Sequence, residues 1–250
     1  MRKKIIAMIP ARYESTRFAH KLMQVLDGKT IIARTYEAVK NSTLFDEVYV
    51  VCNHSVIKNE IEHIGGKVIV SGKEHESGSD RIAEAVENID CDIIINIQGD
   101  EPFISKENLE KVIAIFDNKE VKVASLMTKI FDVQKIQNPN CVKVVCDKNN
   151  RALYFSRAAI PFSRDENISH FAYQHIGIYG FTKETLLHFT SLPPSNLEKI
   201  EKIENLRMLE NNIDIYLAEV DAVGISIDTK EDFEEAKKHI ELQKQKNELK

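Results

Sequence analysis

The sequence predicts an α/β fold in which a mostly parallel central sheet is flanked by helices. Short runs of β-branched apolar residues recur along the first half of the chain, and segments with helical spacing of apolar residues separate them. Such alternation forms βαβ units, whose right-handed crossovers leave neighbouring strands parallel. The predicted strands cover about residues 4–9, 47–52, 67–71, 92–97 and 121–126. The predicted helices cover roughly residues 29–41, 55–64, 78–88 and 105–117.

The second half of the chain groups its strands around turns. Strands are predicted at residues 141–147, 152–156, 173–181, 213–220 and, as a short segment, 224–227. Helices are predicted at residues 183–190, at 197–210 and from residue 230 onward. A loop is expected from Pro161 to about Ala172. Because neither a repeat nor a Gly/Ser linker interrupts the chain, we expect a single domain over residues 1–250, with an inserted subregion at about 130–180.

The composition is typical of a soluble globular protein and excludes several classes of function. The 250 residues include 34 Lys and Arg against 39 Asp and Glu, a formal charge of −5, which disfavours nonspecific nucleic-acid binding. No apolar run reaches the ~18–20 residues that span a bilayer, so we expect no membrane segment. The four cysteines form no CxxC pair, so reduced thiols in a cytoplasmic protein are expected rather than a disulfide framework or a zinc site.

The segment that follows the first predicted strand concentrates positive charge. Arg12, Arg17 and Lys21 lie within ten residues of one another among small and hydroxylated residues. In open α/β sheets ligands bind beyond the carboxyl ends of the strands, so these cations form either a polyphosphate cradle or a solvated basic loop. The GxxxxGK[ST] and GxGxxG patterns are both absent, which disfavours a P-loop NTPase or an ordinary dinucleotide enzyme.

Two carboxylates stand at other predicted strand ends. Asp100 follows the apolar run IIINI and Gly99, which permits a tight turn, and Asp228 follows a short apolar segment just before Thr229. Each is either a residue near a helix cap or a ligand of a hard cation such as Mg²⁺. If the two segments are neighbours, the carboxylates share one or two cations, as suits phosphoryl or nucleotidyl transfer.

Several positions in the second half have two interpretations when only the residues are considered. His175 and Tyr179 share one face of a predicted strand, where they serve either a ligand or core packing. Arg157 is either a surface cation or a partner for an anion. Glu204 lies three residues before Arg207 on a predicted helix, so those two side chains are able to pair with each other.

Seven motifs occur along the chain in an order that resembles a known family. They are IPARYESTRF, HESGSDRIAE, NIQGDEPF, ALYFSRAAIPF, HIGIYGF, LEKIEKIENLRML and IDTKED. Their order resembles that of the 3-deoxy-manno-octulosonate cytidylyltransferases, also called CMP-Kdo synthetases, from about Ile5 to Ala236. The ARxxSxR loop alone would indicate only a nucleotidyltransferase, whereas QGDEP, YFSR with the following IP, and HIGIY together are far more specific.

The resemblance implies a fold, a reaction and a set of site residues. The implied fold is Rossmann-like, of the nucleotide-diphospho-sugar transferase type. The implied reaction joins CTP and the eight-carbon sugar acid Kdo to give CMP-Kdo and pyrophosphate, with Mg²⁺, for lipopolysaccharide biosynthesis. Homodimers are common in the family, and the region 150–180 is a candidate interface.

Residue by residue, the family pattern implies the following roles. Lys21, Asp100 and Asp228 match catalytic positions, and both aspartates match metal ligands. The nucleotide is assigned to Arg12, Arg17, Ser77, Gly78 and Arg81 together with Lys21. The sugar acid is assigned to Gln98, Arg157, His175, Tyr179 and Glu204.

The chain departs from the family pattern most clearly in its first loop. The family reads R(F/L)PGKPL, whereas this chain has Arg17–Phe18–Ala19–His20–Lys21–Leu22–Met23 and so lacks both prolines and the glycine. We therefore expect this loop to be less preorganised, although Lys21 keeps its spacing. The departures leave open an 8-amino-Kdo or another sugar acid as substrate, and a noncatalytic nucleotide-sugar-binding protein is the alternative from another class.

Overall fold

The computed structural model describes residues 2–75, 77–164, 171–221 and 224–248. The chain divides into two compact units. The first unit comprises Met1–Cys91, Asn96–Lys106 and Gly224–Lys250, and the second comprises Asp92–Ile95 and Glu107–Val223. The expectation of a single domain with an inserted subregion at about 130–180 stays a prediction; that stretch belongs to the second unit.

Strands and helices alternate along the described chain as the α/β prediction requires. The strands are β1 (Ile5–Ala11), β2 (Val25–Leu26), β3 (Lys29–Thr30), β4 (Glu47–Cys52), β5 (Lys67–Val70), β6 (Ile93–Asn96), β7 (Val123–Ile130), β8 (Lys143–Cys146), β9 (Ala152–Ser156), β10 (Ala172–Thr182) and β11 (Ile215–Glu219). The helices are α1 (Ile31–Asn41), α2 (Ser55–His63), α3 (Gly78–Val86), α4 (Lys106–Ala114), α5 (Val133–Gln137), α6 (Lys183–Ser191), α7 (Asn196–Glu201), α8 (Asn205–Glu210) and α9 (Lys230–Glu248). The predicted fold class is confirmed.

In the first unit, parallel strands are joined by helices. β1 pairs with β4, and β4 pairs with β5, both in parallel register. Each following helix begins at a side-chain cap: Thr30 caps α1, His54 caps α2 and Ser77 caps α3. Since the strands are apolar and the helices α1, α2 and α3 contact β1 or β4, the core forms between them. The carboxyl ends of β1 and β4 therefore face the same edge of this sheet.

In the second unit, β7 lies between two partners of opposite direction. β10 pairs with β7 antiparallel and β11 pairs with it in parallel, while β8 pairs with β9 and β10. The register of β10 shifts between Ile176 and Tyr179. Near this bulge Ser125 Oγ lies 3.1 Å from the Ile176 carbonyl and 2.9 Å from the Ile178 carbonyl. A bulge of this kind changes the direction in which the following side chains of a strand point.

The structure corrects several expected elements. The predicted helix at 197–210 is two helices, because Lys202 adopts a left-handed backbone (φ 53°) that ends α7. No strand forms at 224–227, although the Ile227 N–H donates to the Asp100 carbonyl (3.0 Å). The hairpin of β2 and β3 and the helix α5 were not expected. Most of the loop expected at 161–172 lies outside the described residues, which omit 165–170.

The described residues show two further features that bear on class. None of their helices combines the length and the apolar character needed to cross a bilayer. All four cysteines are free; Cys52 and Cys91 are buried, and Cys141 and Cys146 are half-buried. Because burial removes a thiolate from water, it raises the pKa of the Cys146 thiol to about 11. Such a thiol stays protonated and unreactive at neutral pH.

Candidate functional site

A polar cavity of about 230 Å³ opens in the first unit. Its lining residues come from the loop after β1, the start of α3, the segment after β6 and the approach to α9. They are Pro10, Arg12, Ser15, Lys21, Leu22, His75, Ser77, Gly78, Arg81, Gln98, Gly99, Asp100 and Asp228. Eight of the thirteen predicted site residues are therefore brought together here, although they are dispersed over more than 200 positions of sequence.

Two glycines allow the walls of the cavity to approach closely. A Cβ on Gly99 would lie 3.0 Å from the Ile32 side chain and 3.2 Å from the Pro10 carbonyl, tighter than ordinary packing. A Cβ on Gly78 would lie 3.1 Å from Pro10. Thr35 also donates its hydroxyl to the Gly99 carbonyl (2.9 Å), which fixes the turn that presents Asp100. A side chain at either position would require its neighbours to shift by a few tenths of an ångström, so glycine favours this close approach.

Lys21 joins the two predicted metal ligands. Its Nζ lies 2.5 Å from Asp100 Oδ2 and 2.8 Å from Asp228 Oδ1. Arg17 lies at the same centre, with its guanidinium 3.2 Å from Asp228 Oδ1. The backbone bond from Ile227 to Asp100 brings the two carboxylates together despite the 127 residues that separate them along the chain. Burial by itself lowers the pKa of Lys21, but Asp100 and Asp228 outweigh it and raise that pKa above its usual value.

The centre also perturbs two carboxyl groups. Burial works to raise the pKa of Asp228, but Lys21 and Arg17 prevail and hold it below its usual range. Burial raises the pKa of Glu101 to about 8, and the neighbouring Asp100 charge adds to that rise. Glu101 therefore carries a proton at neutral pH, which limits the negative charge next to the two aspartates.

The other wall of the cavity carries two arginines, Arg12 and Arg81. Arg81 is only 6% exposed, and its Nε has no hydrogen-bond partner among the described residues. Burial and then the Arg12 charge lower the pKa of Arg81. In the described part of the chain neither arginine forms a salt bridge. Two neighbouring guanidinium groups that form no salt bridge complement an anion, since an unpaired buried donor is otherwise costly.

The start of α3 adds backbone donors to this wall. Ser77 caps the helix by accepting a bond from the Asp80 N–H (3.1 Å), and Gly78 is its first residue. A helix N-terminus carries partial positive charge and favours negatively charged groups. His75, which sequence reasoning missed, also lines the cavity and lies 2.6 Å from Glu84. This histidine is the first residue of the motif HESGSDRIAE, but its residue type and spacing do not by themselves indicate a site residue.

The cavity contains donors that suit a hard divalent cation. Asp100 and Asp228 both contact one ammonium nitrogen, so their oxygens are close enough to share a single ion. Among the described residues no group of three or more His, Cys, Asp or Glu side chains gathers as an all-protein metal cage. Mg²⁺ is commonly held by one or two carboxylates, with water and substrate phosphates completing its shell. The two aspartates therefore fit Mg²⁺ bound together with a phosphorylated substrate.

In the second unit, the structure brings His175 and Tyr179 together as the sequence predicts. Their ring centroids lie 5.3 Å apart. The Tyr179 hydroxyl donates to Asn205 Oδ1 (2.6 Å), and His175 Nε2 lies 3.0 Å from Ser125 Oγ. Burial lowers the pKa of His175 to about 3 and raises the pKa of Tyr179. Both side chains are thus neutral hydrogen-bonding groups at pH 7.

Asn205 and Ser125 are polar members of this cluster that sequence reasoning missed. Asn205 is the first residue of α8, directly after Glu204, and it is buried. Ser125 is the one polar residue of the apolar run VASLM, a signal that could have identified it, whereas Asn205 stands next to Glu204 without such a signal. The cluster is a buried polar network, the kind that fixes side-chain orientation when its members are satisfied.

Arg157 is held mainly by backbone. Its guanidinium donates to the carbonyls of Glu201 (2.7 Å), Pro139 (2.8 Å) and Lys202 (3.1 Å). Three of its five N–H donors are therefore committed within the unit. Arg207 pairs with Glu198 through two bonds of 2.8 and 2.6 Å. The roles predicted for Arg157, His175, Tyr179 and Glu204 toward a sugar acid stay predictions.

Comparisons with known proteins agree with this geometry. A family model described as Cytidylyltransferase matches residues 6–215. A protein of Flavobacterium johnsoniae named 3-deoxy-manno-octulosonate cytidylyltransferase is 55% identical, covering 94% of this chain and 97% of the relative. A protein of Christiangramia forsetii with the same name is 52% identical, covering 95% and 97%. A solved structure of CMP:2-keto-3-deoxy-manno-octonic acid synthetase complexed with CTP superposes with a TM-score of 0.92 at 33% identity, covering 96% of this chain and 99% of that one.

The fold and the cavity define the class of enzyme: a nucleotidyltransferase, and within that class a cytidylyltransferase. More closely, the chain belongs to the family of 3-deoxy-manno-octulosonate cytidylyltransferases. The resemblance inferred from the seven motifs is thereby confirmed.

Proposed function

We propose that this enzyme transfers the cytidylyl group of CTP to Kdo, giving CMP-Kdo and pyrophosphate for lipopolysaccharide biosynthesis. One observation carries the proposal: a single cavity of the first unit combines unpaired cations with a close pair of carboxylates. That combination suits a polyphosphate substrate and a divalent cation at the same place.

In the proposed reaction, the anomeric hydroxyl oxygen of the sugar acid attacks the α-phosphorus of CTP in line. A phosphorus–oxygen bond forms to the sugar, the bond between the α-phosphorus and its bridging oxygen breaks, and pyrophosphate leaves with the electron pair. The hydroxyl proton is released to solvent. Such transfer depends mainly on positioning and on neutralising phosphate charge.

Separate groups of residues in and beside the cavity bind the triphosphate and the rest of the nucleotide. Arg12, Arg17 and Lys21 bind the triphosphate, while Ser77, Gly78 and Arg81 bind the nucleotide from the start of α3. The support is that Arg81 is buried with an unpartnered donor and that Arg12 raises the positive potential beside it. These contacts hold the α-phosphate in place and exclude water from it.

Asp100 and Asp228 would hold Mg²⁺, which when bound would neutralise phosphate charge. Without the ion, Lys21 lies between the two carboxylates and balances their charge. The proposed sugar-acid contacts are those of Gln98, Arg157, His175, Tyr179 and Glu204. A neutral His175 and a neutral Tyr179 suit hydrogen bonds to sugar hydroxyls better than ionic contact with a carboxylate.

The test is to incubate the enzyme with CTP, Mg²⁺ and each of Kdo, 8-amino-Kdo and sialic acid, and to measure pyrophosphate and the CMP-sugar. Product with Kdo at the highest kcat/KM supports the proposal. A preference for 8-amino-Kdo would change the assigned substrate. Mg²⁺-dependent CTP binding by calorimetry without product from any sugar would overturn catalysis in favour of a nucleotide-binding role.

We also propose that the enzyme is a cytoplasmic homodimer. The location is supported by four free thiols, two of them buried. The dimer is supported by exposed large apolar side chains in the second unit, among them Phe131 (63% exposed) and Phe162 (88% exposed). Exposed apolar surface of this kind marks interaction sites.

A further inference from the structure

The loop that carries Arg12, Arg17 and Lys21 is flanked by a stack of three rings. The Tyr13 ring lies parallel to the His54 ring, with centroids 4.0 Å apart and an interplanar angle of 9°. The Tyr13 ring also contacts the His20 ring, with centroids 4.3 Å apart and an interplanar angle of 32°. Tyr13 immediately follows Arg12, and His20 immediately precedes Lys21. The stack thus connects both ends of the cationic loop with a residue outside it.

His54 is the fixed member of the stack. It is the N-cap of α2, and its Nδ1 accepts a hydrogen bond from the Val56 N–H (3.2 Å). That bond sets the orientation of the ring on a nine-residue helix that packs against β4 and β5. A ring held in this way offers a rigid face to Tyr13, because a capping side chain loses its freedom to rotate.

His20 has a left-handed backbone. Its φ is 49° and its ψ is 38°, a region that is uncommon for residues other than glycine, although histidine, asparagine and aspartate enter it more often than the rest. Its Nδ1 is buried and has no hydrogen-bond partner among the described residues. The His20 carbonyl accepts a hydrogen bond from the Met23 N–H (2.9 Å), and the ring contacts Tyr13, so both interactions favour this conformation. Immediately after it, Lys21 enters the turn that aims its ammonium at Asp100.

Two other contacts hold the middle of the loop. The Ser15 hydroxyl donates to the Phe18 carbonyl and accepts from the Lys21 N–H. Phe18 is buried and contacts Phe233 edge to face, with centroids 5.5 Å apart. These contacts restrain residues 15–18 and the Lys21 backbone but do not involve the rings of Tyr13 and His20. The stack adds a separate restraint at both ends of the loop.

We infer that Tyr13, His20 and His54 are positioning residues that preorganise the triphosphate-binding loop, with Tyr13 as the central ring. The inference rests on the proposed function, because it assigns the stack to the affinity for CTP rather than for the sugar acid. Restraining a loop in its binding conformation before the ligand arrives reduces the entropy lost on binding. Aromatic pairs contribute about 0.5–1.5 kcal/mol each, a threefold to tenfold effect on an equilibrium.

The test compares four variants with the wild-type enzyme. Tyr13→Leu removes the central ring, and Tyr13→Phe keeps it. His54→Asn removes a ring but keeps a good N-cap for α2, and His20→Asn removes a ring but keeps a residue that tolerates the left-handed backbone. Hydrogen exchange of the amides of residues 12–21 is measured without ligand, and the dissociation constant of CTP is measured by calorimetry.

Tyr13→Leu, His54→Asn and His20→Asn are expected to speed exchange in residues 12–21 and to weaken CTP binding threefold to tenfold. The KM for the sugar acid and the midpoint of thermal unfolding stay near wild-type values, and Tyr13→Phe behaves as wild type throughout. Wild-type exchange and CTP affinity in Tyr13→Leu would overturn the inference. So would a defect in His20→Asn without one in Tyr13→Leu.

The exchange measurement separates this inference from the proposed function. If the wild-type enzyme fails to bind or turn over CTP, the proposed function is wrong, and exchange in residues 12–21 still tests whether the stack restrains the loop. If the wild-type enzyme is active and Tyr13→Leu leaves exchange unchanged, only the stack is rejected.

Discussion

Lys21 allows two carboxylates to lie closer together than their charges would otherwise permit. Asp100 and Asp228 both contact its ammonium group, and Arg17 adds a second cation beside Asp228. Like charges in a partly buried site repel, so removing the lysine leaves only Arg17 to offset the two carboxylates and favours the binding of another cation. The Lys21 side chain therefore determines whether the two aspartates contact its own ammonium group or a bound metal ion.

Lys21→Met is therefore expected to increase the affinity for a divalent cation in the absence of nucleotide. The increase should be about tenfold, as relief of roughly 1.4 kcal/mol of competition would produce, because the ion no longer displaces the ammonium group. Mn²⁺ serves as the probe, with its binding followed by electron paramagnetic resonance. Lys29→Met, which removes a surface lysine paired with Glu37, is the matched control. Unchanged Mn²⁺ affinity in Lys21→Met would contradict the competition.

Asp100→Asn is expected to lower Mg²⁺-dependent kcat by about a hundredfold or more, since it removes a carboxylate that would hold the ion that neutralises phosphate charge. The fold should remain, because the amide has the same shape as the carboxylate. Activity is measured by pyrophosphate release and folding by thermal unfolding. Asp90→Asn, with a fully solvated side chain, makes the same chemical change away from the cavity. Near-normal turnover in Asp100→Asn would refute the metal assignment.

Residue types at strand ends predicted much of the cavity. Arg12, Lys21 and Asp100 were found because parallel strands direct their following loops to one edge of the sheet. Pairing between Lys21 and the two aspartates was not predicted, since sequence alone does not give distances between segments 79 and 207 residues apart. Glu101 was missed because its significance lies in burial rather than in residue type.

At the scale of elements, the junction of α7 and α8 shows how a period misleads. Leu197, Ile200 and Ile203 step by three, and a strict step of three drifts by about 60° per step around a helix of 3.6 residues per turn. Residues that step by three therefore cannot all lie on one face of a single helix. Ile200 is exposed, whereas Ile203 is buried. In the structure α7 ends at its C-cap, Lys202, and a second helix, α8, begins at Asn205.

Glu198 holds that junction together and gives it a pH dependence. It accepts hydrogen bonds from the Ser195 N–H (3.0 Å) and from Arg207. Burial works to raise the pKa of Glu198, but Arg207 and the Ser195 N–H prevail and lower it. A lowered folded-state pKa contributes stability above the unfolded pKa, about 4.3, and loses it as the pH falls through the folded value.

Glu198→Gln is accordingly expected to reduce the free energy of unfolding by about 1–3 kcal/mol at pH 7, where it weakens charge-assisted bonds to Arg207. The difference from wild type should shrink as the pH falls below about 4. Urea unfolding at pH 7 and pH 3 measures both values, with Glu241→Gln on the exposed face of α9 as the control. A difference that is equal at both pH values would contradict the ionic role of Glu198.

The short hairpin of β2 and β3 was missed although its signal was present. Asp27 and Gly28 both have positive φ, as a type I′ turn requires, and Asp-Gly is among the strongest sequence signals for such a turn. Two-residue strands are too short for the alternation that identified β1 and β4. The Asp-Gly turn signal predicts this hairpin, whereas the spacing of apolar residues does not.

At the scale of the whole molecule, the α/β class could be predicted because the apolar strands and helical segments alternate so regularly. The division into two units could not, since no linker or change of composition marks residues 92, 96, 107 or 224, where the chain passes between them. The exposure of Phe131 (63%) was also beyond the sequence, whereas Leu153 and Phe162 lie in the region 150–180 that the sequence analysis gives as a candidate interface.

Phe131→Asp combined with Phe162→Asp is expected to convert the proposed homodimer to monomers. Placing charges in an apolar interface imposes a desolvation penalty that its area does not offset. Size-exclusion chromatography with light scattering measures the mass at several concentrations. Val25→Asp, which alters an exposed apolar residue of the first unit, is the control. A wild-type chain that is monomeric at all concentrations, or a double variant that stays dimeric, would contradict the interface.

The first unit is assembled from three separated stretches of chain, and this order has a consequence for biosynthesis. Lys21 and Asp100 leave the ribosome long before Asp228, which belongs to the final stretch, Gly224–Lys250. A nascent chain therefore holds Lys21 and Asp100 but not Asp228 until the ribosome has passed residue 228. The pair of aspartates proposed to bind Mg²⁺ is complete only then, so a shorter ribosome-bound fragment lacks the centre on which the proposed chemistry depends.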